Sequence, residues 1–297
     1  TGLQAQTLSI GSVPATSSHF PYAVAMTKEI RAALPGTTVN LVETGASVDN
    51  LKRLSRGEIE IALATSDVAI QASTGAGQFE GKAIPGFQVI WVCDFSVLNI
   101  AVRVDSGITD LAGLEGKKFS PGIRGSGAEL LTRNALTQFG ITPDYSPGTL
   151  AEAVEGIQNR SLVGYSKYGL GTGIDATLRE LMVSTEMRIL GMTPEQAQKV
   201  LDTTPGVTMY TLPENLIPNQ PSVVAPGIAV IYGTLEGKLD DETAYRIAKA
   251  IGDGHAAISE AIPHSKSYDY KAMTVAMEAA GLTIHPGAKR YWDSLSN

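Results

Sequence analysis

Hydrophobic and polar positions alternate with period two in "TLSIGS" (residues 7–12), which reads as a short strand with one buried face. After the polar turn "VPATSSHF" the period changes, and Tyr22, Met26, Ile30 and Ala33 fall on one helical stripe. Pro21 suits the first turn of that helix and Pro35-Gly36 stops it. "TTVNLVE" predicts a second strand, and "SVDNLKRLSRG" a second helix with Ser47 as its candidate cap and Gly57 as its stop. "EIEIALATS" alternates again. Strand, helix, strand, helix, strand is the order of a parallel sheet with right-handed crossovers, so the first part of the chain is expected to be α/β.

A second stretch of the same kind starts at the strand end "NIAVRV" and passes through a turn-rich loop to a short strand and a glycine-rich loop. Two helices with capping-box starts follow, at Ser126 to Glu129 and at Thr149 to Glu152. Alternation continues through "SLVGYSKYG", "DATLRELMV", "MRILG" and "PEQAQKVLD". "SVVAPGIAVIYG" then predicts a long strand, and residues 240–281 read as largely helical. At 297 residues the chain exceeds one ordinary core, so two globular units are expected.

Parallel α/β sheets take their ligands outside the carboxyl ends of the strands. Three such turns carry small polar residues, "PATSSHF", "ETGASVDN" and "ATSDVA". The stretch "SPGIRGSGAELLTRNAL" makes a fourth, where Gly122, Gly125 and Gly127 permit close backbone approach and a helix N-terminus offers unpaired N–H groups. Arg124 adds a two-pronged donor for a carboxylate, against the alternative of a capped helix with a solvated arginine.

Composition narrows the chemistry. The net charge of −7 argues against a nucleic-acid surface, and the 43% hydrophobic and 18% charged fractions describe an ordinary globular chain. No run is apolar for long enough to span a bilayer, while "LQAQ", with Ala5, reads as the trace of a removed secretory signal. Cys93 is the single cysteine, set in the apolar run "FQVIWVCDF", so it is expected to be buried and no disulfide framework is possible. His19, His255, His264 and His285 show no metal-ligand spacing, and the nucleophile-elbow, phosphate-loop and dinucleotide-loop patterns all fail; no metal, cofactor or catalytic residue is predicted. Tyr165, Trp91 and Trp292 read as packing residues, Asn50 as structural, Asp67 as a first-turn helix acid, and His285 with Pro286 as fixing the last turn.

Three ordered segments, "ETGASVDNLKRLSRGEIEIALATSDVA", "DSGITDLAGLEGKKFSPGIRGSGAELLTRNALTQFGI" and "HPGAKRYW", resemble the TAXI-type solute-binding proteins of TRAP transporters, with a match running from "LSIGSVPATSSHFP" to Trp292. The resemblance implies a type II periplasmic-binding-protein fold: α/β, with two lobes, a hinge and a ligand cleft between them. Residues 1–100 would form the first part of lobe 1, 101–225 lobe 2, and 226–297 the return to lobe 1 with the C-terminal helices. It further implies an extracytoplasmic receptor, the mature form after signal removal, that binds a small organic anion such as a dicarboxylate, keto acid or amino acid and docks on a membrane-embedded permease.

Carried over by position, the ligand contacts would be Thr16, Ser17, Thr44, Ala46, Ser47, Ser66, Arg124, Gly125 and Ser126. The chain departs from the family twice. Arg124 stands where a proline or small residue is usual, and "NRSLVGYSKYGLGTG" replaces a pattern close to G-x-x-D-A, losing its Asp and adding Lys167 and Tyr168 as further candidate contacts. Two rival readings are an enzyme on the same fold, with Lys167 as its candidate reactive group, and a ligand-sensing subunit of a membrane receptor.

Overall fold

The alternation of Leu8 and Ile10 with Thr7 and Ser9 produces β1 (Thr7–Gly11), with both apolar side chains fully buried. This computed structural model describes residues 6–296; the stretch around Ala5 lies outside the described residues. Helix α1 (Phe20–Ala33) buries Tyr22, Met26 and Ile30 and begins on Pro21 within its first turn. Next come β2 (Thr38–Val42), α2 (Ser47–Arg56), closed by Gly57 at φ 72°, and β3 (Ile61–Thr65). Helix α3 (Ser66–Thr74) starts directly at the end of β3, which the strand reading of "EIEIALATS" had carried through Ser66. Strand β4 (Phe87–Arg103) is one unbroken strand of 17 residues.

After two short 3₁₀ turns the chain forms β5 (Lys118–Ser120), α4 (Gly127–Gln138), β6 (Asp144–Tyr145), α5 (Leu150–Gln158), β7 (Gly164–Tyr168), α6 (Ala176–Leu181), β8 (Met187–Leu190) and α7 (Pro194–Thr203). Strand β9 (Val207–Leu212) escaped the pattern reading, although "VTMYTL" alternates. Strand β10 (Val223–Leu235) leads into α8 (Asp241–Asp253), α9 (His255–Ile258), α10 (Tyr270–Val275), β11 (Thr283–Ile284) and α11 (Pro286–Ser294).

The chain forms two compact units, one ending at Asp94 and resuming at Ile228, the other running Phe95–Gly227. It leaves the first inside β4 and returns inside β10. In the first unit β1 pairs in parallel with β2 and β3, β10 lies antiparallel to β3 and beside β4, and β11 is parallel to β4. Two cores cover this sheet. One gathers Leu8, Ile10, Met26, Trp91, Tyr232 and Trp292; the other gathers Leu51, Leu54, Phe79, Val89 and Ile231. Both tryptophans are packing residues whose indole N–H groups are satisfied, Trp91 by Tyr22 Oη at 3.0 Å and Trp292 by the Ile90 carbonyl at 2.8 Å. Cys93 is buried and unbridged.

In the second unit β4 lies antiparallel to β7 and β8, while β5 is parallel to both β6 and β7. Its core includes Val97, Ile157, Tyr165, Leu178 and Ile189.

Candidate functional site

In the first unit β1, β2 and β3 run in parallel, so their carboxyl ends bring the turns after them to one edge of the sheet. Those turns are tied to one another. Thr44 Oγ1 donates to the Ser12 carbonyl at 2.9 Å, and Asn50 Nδ2 donates to the same carbonyl and to that of Leu63, both at 2.8 Å. The Ser47 hydroxyl accepts the Thr65 amide at 3.1 Å, and the Ser66 hydroxyl accepts the Ala229 amide at 3.0 Å. Ser47 is therefore a tie between α2 and β3 and does not cap its helix; the cap position is Ala46, which makes no side-chain bond. Ala46 holds φ 69° and ψ −152°, a backbone region that strongly favours glycine. Thr16 is exposed and Ser17 half-buried, with the Ser17 hydroxyl accepting the His19 amide at 3.2 Å.

Backbone amides at these turns already face carboxylates of the chain. Ala15 donates to Glu43 at 2.7 Å and Gly45 to Asp49 at 3.0 Å, a bond that heads the causes holding the Asp49 carboxyl below its ordinary range. The glycine-rich loop of the second unit repeats this arrangement. Gly125 N–H donates to Glu129 Oε2 at 2.7 Å, and Ser126 caps α4 by accepting the Glu129 amide at 3.2 Å. The expected capping box at this helix is thus half made, because Glu129 reaches Gly125 instead of Ser126; the box at Thr149 and Glu152 closes fully. Gly122, at φ +138°, is required by the helix itself: a Cβ there would lie 2.7 Å from the Glu129 amide nitrogen. Arg124 is exposed, and its Nη2 donates to the Pro147 carbonyl at 3.1 Å.

Lys167 and Tyr168 close β7. Lys167 Nζ stands 3.4 Å from Asp175 Oδ1, and Tyr165, deep in the core, donates its hydroxyl to Asp175 Oδ2 at 3.1 Å. Asp175 also caps α6 through the Leu178 amide. It went unread in the sequence, though it stands in "GIDA", seven residues beyond Tyr168 and next to a helix start. Burial and then the Asp175 charge push the Tyr165 phenol far up. Tyr168 lies beside the start of α4, 3.8 Å from where a Cβ on Gly127 would be.

A further cluster was missed in the sequence altogether. Asp94, 2% exposed, sits at the end of the first unit's part of β4 and accepts from His19 Nε2 at 3.2 Å, His264 Nε2 at 3.1 Å and the Tyr268 hydroxyl at 2.7 Å. Burial alone would raise this carboxyl; the hydrogen bonds from His19, His264 and Tyr268 outweigh it and hold the group well below the ordinary carboxylate range. His19 is 75 residues from Asp94 and His264 170, so no local motif announces them. Among the described residues no group of three or more His, Cys, Asp or Glu side chains is arranged to hold a metal ion.

The other residues singled out in the sequence fall into place simply. Asp67 lies in the first turn of α3, and burial raises its carboxyl. His285 caps α11 by accepting the Gly287 amide at 3.1 Å and contacts the Leu239 carbonyl through Nε2. A cavity of about 480 Å³ in the second unit, lined by Arg103, Asp105, Arg160 and Glu186, includes none of the candidate ligand residues. No helix among the described residues is long and apolar enough to cross a membrane.

Comparison with known proteins adds a family and a fold. The model of a family described as NMT1-like matches residues 10–293. The periplasmic aliphatic sulphonate binding protein SsuA from Escherichia coli is 18% identical, with a TM-score of 0.50 over 98% of this chain and 84% of its own. The periplasmic sulfonate-binding protein SsuA from Methylobacillus flagellatus KT is 14% identical at a TM-score of 0.55, over 99% and 83%. XAC2383 from Xanthomonas citri, in a structure bound to ATP, is 12% identical at 0.56, over 98% and 100%. The fold is the mixed α/β fold of periplasmic binding proteins, as the residue pattern and the resemblance implied.

Proposed function

The chain belongs to the NMT1-like family, and on that footing we propose that it is an extracytoplasmic solute-binding receptor that takes up a small organic anion without chemistry. In the finer form of the proposal it serves a TAXI-type TRAP transporter and delivers a carboxylate to the membrane permease. The observation that carries the reading is the cross-tied edge of the first unit. Thr44 and Ser47 use their hydroxyls to lock three strand-end turns together and Ser66 ties the third of them to β10, which preorganises a polar surface at the place where α/β sheets take ligands. The strained backbone at Ala46 is of the kind that gathers at ligand sites. Arg124, Gly125, Ser126, Lys167 and Tyr168 are proposed as further contacts from the second unit.

Against the enzyme reading, Lys167, the candidate reactive amine, is paired with Asp175, and the Ser47 and Ser66 hydroxyls each accept a backbone amide.

A thermal-shift screen of carboxylates, dicarboxylates, amino acids and sulfonates tests the proposal, because a ligand of the folded state raises the melting temperature by mass action. A shift for one class of anion, with the ligand recovered unchanged, is expected. A shift that disappears in Arg124→Ala assigns the guanidinium to the ligand; one that persists leaves recognition to the serine and threonine turns or to Lys167. Conversion of the ligand, or no shift with any anion, overturns the receptor reading.

A further inference from the structure

The Asp94 cluster shares the turn of Thr16 and Ser17 through His19, and it holds chemistry that the receptor reading leaves unused. His19 and His264 both direct Nε2 to the same oxygen, Asp94 Oδ2, while Tyr268 takes Oδ1. An ionised carboxylate only accepts, so each ring carries a proton on Nε2. The opposite nitrogen, Nδ1, has no protein partner in either ring among the described residues. The imidazoles are 21% and 34% exposed, against 2% for the carboxylate that aligns them. Two rings are thereby fixed by a buried acid, with their second nitrogens turned away from it.

Charge decides what those nitrogens offer. A buried carboxylate is tolerated when it is hydrogen-bonded, as Asp94 is by two imidazoles and a phenol. Tyr22 of α1, Cys93 of β4, Tyr268, and Tyr270 of α10 also face the cluster, and burial pushes each of them up, so they stay neutral near pH 7; His255 of α9 stacks on Tyr270 at 4.4 Å, with its Nε2 on the Ser265 carbonyl. Of the three side chains that donate to Asp94, His19, His264 and Tyr268, the two imidazoles are the ones able to carry a positive charge. An imidazolium donates from Nδ1 as well as from Nε2. Thr16, Ser17, Thr44, Ala46, Ser47 and Ser66 contribute no cation, so an anion at this edge needs a positive partner from another side chain, and His19 stands on the turn of Thr16 and Ser17.

Resting on the receptor reading, we propose that His19 and His264 are the oxyanion-recognising pair of the first unit, donating from Nδ1 to a carboxylate or sulfonate of the ligand, with Asp94 as the positioning residue. Binding is then coupled to proton uptake. Affinity is then higher in acid, by up to about tenfold per pH unit for each proton taken up.

Calorimetric titration tests this with L-glutamate, 2-oxoglutarate and ethanesulfonate, each alone, at about pH 5.5 and about pH 8. Two buffers of different ionisation enthalpy count the protons taken up. Wild type is compared with His19→Gln and His264→Gln, since glutamine keeps an N–H toward Asp94 but has no second nitrogen to protonate. The wild type is expected to bind one class of oxyanion more tightly in acid, with proton uptake; each variant is expected to lose about tenfold or more in affinity, and its share of the proton uptake with it. Histidine two-bond ¹H–¹⁵N spectra of the wild type read the same event without a variant, as movement of the His19 and His264 Nδ1 resonances toward the protonated form. Binding without proton uptake and with unmoved Nδ1 resonances, or with unchanged affinity in both variants, overturns the inference and leaves the receptor reading intact. If none of the three probes binds at either pH, both fall.

Discussion

The amide of Gly125 donates to the carboxylate of Glu129 at 2.7 Å, four residues along the chain, so the loop that reads as an anion cradle holds an acid of its own helix. That bond leads the causes that lower the Glu129 carboxyl, followed by burial, which opposes it, and then Arg133. A ligand anion at this amide has to displace Glu129, and the same competition applies at Gly45 with Asp49. The helix N-terminus does attract negative charge, as its dipole requires, but the charge is supplied from within.

Glu129→Gln is expected to lower stability by about 1 kcal/mol near pH 7, the scale of one charge-assisted bond with a first-turn acid. The folded carboxyl titrates below its unfolded value, so its contribution is complete above the unfolded value of about 4.3 and fades as pH falls through the folded one. Urea denaturation of both proteins at neutral and acid pH checks this: the gap between them narrows in acid.

Ala46→Gly is expected to stabilise the protein by up to about 1 kcal/mol, because glycine removes the strain of φ 69°, ψ −152° at some cost in unfolded-chain entropy. Ala46→Val is expected to destabilise it. Thermal denaturation of the pair gives opposite signs if the backbone is strained as described.

Asn50→Ala is expected to cost about 2–4 kcal/mol. It leaves the buried carbonyls of Ser12 and Leu63 without their shared donor, and it opens a cavity where Asn50 is fully buried. Denaturant melts measure the loss; a change within error would show that the turns are tied by other means.

Asp94→Asn is expected to cost about 2–4 kcal/mol at pH 6, since an amide cannot accept what two imidazoles and a phenol donate to a buried carboxylate. The folded pKa of Asp94 is depressed, so its contribution is present above the unfolded value of about 3.9 and is lost as pH falls through the folded one. The difference between wild type and variant should therefore hold from pH 6 to about 4 and shrink below that, as followed by urea melts across the range.

What the sequence determined by itself is what chain neighbours decide. The period-two run of β1, the stripe of Tyr22, Met26 and Ile30 in α1, the stop at Gly57 and the capping box at Thr149 and Glu152 all lie within one element or one turn of it, where spacing alone sets which side chains meet. Tertiary structure decided where the polar groups went. Ser47 and Ser66 could not be seen as ties, because their partners Thr65 and Ala229 arrive through sheet packing. Asp94, His19 and His264 met only when β4, the turn before α1 and the segment before α10 came together, and Asp175 acquired Tyr165 and Lys167 by folding back onto β7. A hydrogen-bonding side chain has many partners within reach of its type, and burial selects among them only after the backbone has placed them.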